Sequence, residues 1–141
     1  MQLPLTERET CRVESLRDLR ILDTSPEQVF DDIARLVAVV CDTPIAVIDF
    51  VDEQRVWFKA KIGLDLDEIA RDHSFSAHAI MQSDVLIVPD PLTDERFTSS
   101  FLVTEIGIRF YVGVPLIVAN SRTTCGISFH QEPRKQSDGG N

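Results

Sequence analysis

The segment Ile45-Ala-Val-Ile-Asp-Phe-Val51 is almost wholly apolar and rich in β-branched residues. A run of this kind marks a central strand covered on both faces. A polar connection follows, Asp52-Glu53-Gln54, and then residues 56–62 alternate. Val56, Phe58, Ala60 and Ile62 are expected on one face, with Trp57, Lys59 and Lys61 on the other. Gly63 ends the strand. Two strands joined by so short a connection pair antiparallel, because a parallel pair needs a long crossover. The 45–62 hairpin therefore dictates an antiparallel sheet with a covering layer on each side.

The flanking segments supply those layers. Residues 6–22 are predicted as a first helix, opened by the capping-box pattern Thr6-x-x-Glu9 and carrying the narrow stripe Val13, Leu16, Leu19, Leu22. That stripe reads either as plain packing, which is favoured because it is short, or as a dimerisation seam. Residues 25–41 form a second helix, with Ser25 as N-cap, Pro26 at the first helical position and Gln28 completing a capping box. Val29, Phe30, Ile33, Leu36, Val37 and Val40 recur at helical spacing and predict a core-facing helix. Beyond Gly63 lies a long connection, 63–107, with a short helix over Phe75–Gln82 capped by Ser74 and a short strand over Val85–Val88. Ile108–Val118 and Thr123–His130 are the last strands, and 133–141 is expected to be a disordered tail after one domain spanning 1–132. The expected fold class is α+β: helices on one face of an antiparallel sheet, with the 63–107 connection roofing a pocket on the other.

Composition excludes several function classes. The 141 residues carry a formal net charge of −9, which argues against nucleic acid or an anionic membrane as partner, since phosphate binding needs clustered Lys and Arg. Cys11, Cys41 and Cys125 are few, odd in number and widely spaced, so neither a disulfide framework nor a zinc site is expected. No stretch approaches the ~20 apolar residues of a membrane span, and no secretory leader is apparent. A cytoplasmic protein is the expectation.

The chain resembles the GAF domain. The resemblance runs from Leu16 to about Val118. It is carried by Ile21-Leu-Asp-Thr-Ser-Pro-Glu27, Phe30-Asp-Asp-Ile-Ala34, Trp57-Phe-Lys-Ala60, Ser74-Phe-Ser-Ala-His-Ala-Ile80, Val88-Pro-Asp90 and Arg109-Phe-Tyr-Val-Gly-Val-Pro-Leu116. Together these are similar to the bacterial branch found in front of histidine kinases, diguanylate cyclases and phosphodiesterases. The resemblance implies a pocket framed by 71–82 and by the strand carrying Arg109 to Gly113. Many members have Cys where this chain has Ser76, and a hydroxyl there cannot attach a chromophore or undergo thiol redox chemistry. The ending, Cys125-Gly-Ile-Ser-Phe-His-Gln-Glu-Pro-Arg134, is shorter and more polar than usual, so a frayed last strand and no closing helix are expected.

Candidate site residues follow. Phe75, His78 and Gln82 can share a helical face; His78 reads equally as a pocket donor or acceptor and as a helix-surface histidine, while His73 is expected to be structural. Arg109 shares strand parity with Tyr111 and Gly113 and can pair either a ligand anion or an acid of the chain. Gly113 leaves room for a close approach. Asp90, between two prolines, reads as a pocket-edge acceptor or, preferably, as a turn cap. The expected site is thus Phe75, Ser76, His78, Asp90, Arg109, Tyr111 and Gly113, with no metal and no cofactor. Ser76 and His78 at i, i+2 point to different sides of a helix, so no hydrolase arrangement forms. No cysteine falls in the pocket segment, so neither bilin attachment nor methionine sulfoxide reduction of the kind some members perform is expected, and no other enzymatic activity is.

The leading functional expectation is a sensory domain that binds a small molecule without a covalent bond and regulates an output partner, such as a kinase or cyclase domain, with a homodimer through the N-terminal helix. The alternative is an interaction module whose pocket is filled by Phe75, Ile80 and Phe110.

Overall fold

The computed structural model of the chain describes residues 5–82, 84–118 and 121–130. Six strands form one sheet: β1 (Ile45–Val51), β2 (Arg55–Ile62), β3 (Glu68–Ala70), β4 (Leu86–Val88), β5 (Ile108–Val118) and β6 (Ser121–His130). Their order is β3-β2-β1-β6-β5-β4, and every neighbouring pair is antiparallel. Helices α1 (Leu5–Asp18) and α2 (Gln28–Val40) cover one face. The connection from β2 to β5, with the short helices α3 (Ser76–Ala79) and α4 (Phe101–Thr104), covers the other. The α+β architecture expected from the 45–62 hairpin is the one observed. The expected tail 133–141, the boundary at 132 and any closing helix lie outside the described residues.

The hairpin has the expected bounds but not the expected facing. Ile48 pairs with Ala60 while Asp49 pairs with Phe58, leaving Lys59 as an extra residue in a β-bulge. Val56 and Phe58 stay on the roofed face. Ala60 and Ile62 are turned to the helix face, where they meet Ile48, Ala34 and Phe30. A second bulge at Arg109, between the pairs Ile108–His130 and Phe110–Phe129, resets β5 in the same way. Gly63 ends β2 with φ +73°, and a Cβ there would fall 2.0 Å from the Pro44 carbonyl oxygen.

Both helices depart from expectation. α1 starts before Thr6, so Thr6 is not its N-cap, and it stops at Asp18 rather than Leu22; Arg20 and Asp23 then take left-handed conformations that turn the chain. Val13 and Leu16 are buried, Leu16 against Phe50 and Trp57, so this stripe is intramolecular packing. α2 starts at Gln28 with Glu27 at the N-cap and no side-chain cap bond. Ser25 and Glu27 are engaged elsewhere: the buried Lys59 ammonium donates to the Ser25 carbonyl and to Thr24 Oγ1 and pairs with the Glu27 carboxylate, each at 2.7 Å. Of the apolar set expected to face the core, Phe30 packs inward beside Ala34, but Val29, Leu36 and Val40 are 60%, 62% and 73% exposed and Ile33 42%.

The last strand is not frayed. β6 sits in the middle of the sheet, bonded to both β1 and β5. Its polar residues are accommodated: Thr123 Oγ1 donates to the Asp49 carbonyl, and the Ser128 carbonyl accepts from Thr43 at 2.8 Å. β3, inside the expected loop, has one buried residue, Ile69, too little pattern to be legible.

Candidate functional site

The roofed face of the sheet is apolar except along its centre. Asp49 on β1 points into this face and is 1% exposed. Thr124, its direct partner on β6, is fully buried on the same face. Tyr111 enters from β5 and lays its ring across Gly113 and Gly126, which pair with one another. A Cβ on Gly113 would fall 2.1 Å from the Tyr111 hydroxyl. The space Gly113 was expected to leave for a ligand therefore holds this ring.

The cover is fixed by local hydrogen bonds. Ser74 Oγ accepts from the amides of Ser76 and Ala77 at 2.9 and 3.3 Å, starting α3 as its expected cap. α3 is a single turn, shorter than the expected Phe75–Gln82. The turn aims Ser76 at the sheet, where its hydroxyl donates to Asp49 Oδ2 at 2.6 Å. Phe75 stacks on Tyr111 at 4.6 Å and tilts against Phe97 at 4.7 Å. Between cover and sheet remains a cavity of about 20 Å³, lined among others by Asp49, Ser74, Phe75, Ser76, Tyr111 and Ser128. That is room for roughly one water molecule.

Three buried polar atoms on this face have no protein partner: Asp49 Oδ1, the Tyr111 hydroxyl and Thr124 Oγ1. Burial pushes the Asp49 carboxyl up to about 7, only partly offset by the Ser76 bond. Burial also raises the Tyr111 phenol, and the nearby Asp49 charge raises it further; Ser76 lies beside it and slightly opposes this without forming a well-aligned hydrogen bond. Unpartnered buried polar groups each cost about 1–3 kcal/mol, so three on one face of three adjacent strands need a reason.

Not all the expected site residues assemble here. Phe75, Ser76 and Tyr111 line the cavity. His78 does not: its ring is edge-on to Phe97 at 4.9 Å, with a buried, unpartnered Nδ1. Arg109 does not either, because the bulge breaks its parity with Tyr111, and its guanidinium donates to the carbonyls of Val103 and Ile108 at 2.9 and 3.0 Å. Asp90 is exposed and accepts from the Leu92 amide at 3.2 Å, the turn-cap role preferred for it. His73 Nδ1 accepts from the Phe101 amide at 2.8 Å. Phe110 meets Phe129 at 5.7 Å and does not fill the cavity. None of the three cysteines lines it. Asp49 and Thr124 were missed, although an acid within an otherwise apolar central strand was the signal that could have found the first.

The cover is tied to α1. Arg71, just before Ser74, donates to Glu9 on α1 at 2.6 Å and to the Asp52 carbonyl at 3.0 Å. Arg12 holds the same Glu9 carboxylate at 2.9 Å and also donates to the Val51 carbonyl. Burial works against the Glu9 charge, but the bonds from Arg12 and Arg71 together hold its carboxyl down at about 2. A wider groove, about 610 Å³, runs along the open edge of β2 near Asp31 and Arg35; its one buried cation, Lys59, is already saturated.

The GAF domain family model matches residues 25–137. The chain belongs to the GAF family. Within the GAF match, the site residues Asp49, Ser76, Tyr111 and Thr124 are all included. A cyclic di-GMP phosphodiesterase of Pseudomonas aeruginosa is 38% identical over 135 residues, covering 93% of this chain. The chain spans 23% of that relative's length. Among solved structures, the GAF domain of a phosphoenolpyruvate-protein phosphotransferase from Acinetobacter matches with TM-score 0.58 at 16% identity, over 91% of this chain and 82% of that one. A type II free methionine-R-sulfoxide reductase from Thermoplasma acidophilum matches with TM-score 0.56 at 12% identity, over 70% of each chain. At such identities these likenesses concern the fold alone. Among the described residues no helix is long and apolar enough to cross a membrane.

Proposed function

We propose that this chain is a regulatory GAF domain of a signalling protein and that its recognition site is the buried polar cluster of Asp49, Ser76, Tyr111 and Thr124. The observation that carries this reading is the set of three unpartnered buried polar atoms around the one-water cavity. They are placed to be satisfied by a small polar molecule rather than by the protein. The cavity is too small for a molecule of many atoms, so binding requires α3 and α4 to move outward. That movement pulls on Arg71 and through it on Glu9 of α1, which gives the site a route to the rest of a larger protein. A ligand acts through this route only by binding two positions of the cover unequally. The likeness to a cyclic di-GMP phosphodiesterase favours a cyclic di-GMP enzyme as the output, either in the same polypeptide or in a partner, with no catalysis by this domain and a cytoplasmic location.

A thermal-shift screen of small polar metabolites tests the reading. A true ligand raises the melting temperature of wild type and loses about tenfold in affinity in both Ser76→Ala and Tyr111→Phe, the loss of one hydrogen bond in each. A ligand that binds both variants as tightly as wild type places recognition elsewhere.

A second reading, an interaction module, is favoured by a different surface. Val29, Ile33, Leu36 and Val40 repeat at spacings of four, three and four on the outward side of α2. Ile33 and Val40 then occupy one seam position and Val29 and Leu36 the other; β-branched residues at the first with Leu at the second favour two-stranded pairing. The occupant is α2 of a second copy, not the N-terminal stripe, whose Val13 and Leu16 are already buried. Sedimentation of wild type against Ile33→Asp decides it: a dimer lost in the variant supports the seam, and a monomer in both removes it.

A further inference from the structure

We infer that the Asp49 cavity is selective for a small cationic nitrogen group, a primary ammonium or amidinium, and rejects anions. The inference rests on the recognition site proposed above and adds the chemical class of its ligand. Asp49 is 1% exposed, and one of its oxygens has no partner, while the other takes the Ser76 hydroxyl at 2.6 Å. No Lys, Arg or His lines the cavity. Basic side chains of the neighbouring elements are engaged elsewhere: Arg109 with the Val103 and Ile108 carbonyls, Lys59 with Thr24, Ser25 and Glu27 on the opposite face, and His78 edge-on to Phe97.

An ionised carboxylate in such a place is costly unless a donor or cation meets it. A nitrogen cation supplies both, through a charge-assisted hydrogen bond to the free oxygen. The Tyr111 hydroxyl and Thr124 Oγ1 remain as acceptors for further N–H groups. Above about pH 7, where Asp49 is ionised, a carboxylate, nitrate or phosphate meets its charge with no base among the lining residues to offset it, so it is repelled. This excludes the phosphates of a cyclic dinucleotide from this cavity. The volume of about 20 Å³ holds roughly one water, so an ammonium or amidinium head group enters only as the cover moves outward, and any attached tail leaves beneath it.

The test uses backbone amide NMR of the whole chain at pH 8, where Asp49 is ionised, titrated with methylammonium chloride, sodium chloride, acetamide and sodium acetate, in wild type, Asp49→Asn and Tyr111→Phe. The expected result is that methylammonium shifts the amides of β1 and α3 in wild type and that Asp49→Asn weakens this about tenfold or more. Tyr111→Phe, which keeps the carboxylate, retains the preference of methylammonium over acetate. Acetate or acetamide shifting the same amides at least as strongly as methylammonium overturns the charge preference while leaving a recognition site in place. Equal shifts from sodium chloride mean an inorganic cation site and also overturn the ligand class. No shift from any probe, with the cavity holding water only, overturns both this inference and the recognition site.

Discussion

At the scale of single residues, the account turns on Asp49. Its folded carboxyl stands at about 7 against an ordinary value of 3.8, raised chiefly by burial. A raised acid binds more protons folded than unfolded, so its cost is absent below about pH 4, grows as pH rises to about 7, and is constant above. Asp49→Asn is therefore expected to stabilise the unliganded domain by about 1–3 kcal/mol near pH 8 and hardly at all near pH 4, measured by denaturant unfolding at both. Gly113→Ala is expected to cost about 1–3 kcal/mol in the same assay, because its methyl would displace the Tyr111 ring. The proposed site was legible in the sequence only in part. Phe75, Ser76 and Tyr111 lie in short segments whose pattern resembled a GAF pocket. Asp49 and Thr124 did not, because one sits in a run read as core and the other in a strand expected to fray. His78 and Arg109 carried the attractive chemistry, yet one packs on Phe97 and the other bonds backbone carbonyls.

At the scale of elements, the long helices and the longer strands could be read from apolar pattern, the short β3 and α4 could not, and neither could the facing of the strands. Bulges at Lys59 and Arg109 each insert one residue, and each reverses the alternation beyond it. Nothing in the local composition marks either bulge, since both depend on how the neighbouring strand pairs. Of the two long helices, α1 packs as favoured for it, while most of the α2 stripe expected to face the core is exposed. The α1 stripe is core, so Leu16→Ala is expected to cost about 2–5 kcal/mol. The outward α2 stripe is exposed, so Leu36→Ala is expected to change the stability of the isolated monomer by no more than about 0.5 kcal/mol. Comparing the two variants by denaturant titration at low protein concentration separates core packing from exposed surface. Apolar periodicity alone does not say which side of a helix meets the sheet: on α2 Phe30 and Ala34 pack inward, while Val29, Ile33, Leu36 and Val40 are exposed.

At the scale of the whole molecule, the sheet separates two layers that ion pairs join at one edge. Glu9, Arg12 and Arg71 join α1 to the start of the cover. The folded Glu9 carboxyl is depressed to about 2 from 4.5, so the stabilisation from this cluster is complete above about pH 5 and lost as pH falls through about 2. The stability difference between wild type and Glu9→Gln is expected to be below about 1 kcal/mol at neutral pH, because the group is partly solvated, and to vanish across that window. The sequence pattern indicated a sheet with a roofed face, and the three-dimensional pairing supplied what it lacked: a polar spot assembled from β1, β5, β6 and α3, four segments distant in the chain. The most direct test of that spot is a carboxyl-carbon NMR titration of Asp49 in the unliganded domain. A midpoint near 7, well above the ordinary carboxylate range, is the result expected of a closed acid with one oxygen unpartnered. A midpoint in the ordinary range near 4 would mean that the carboxylate is solvated or already paired, and would contradict the recognition site built around it.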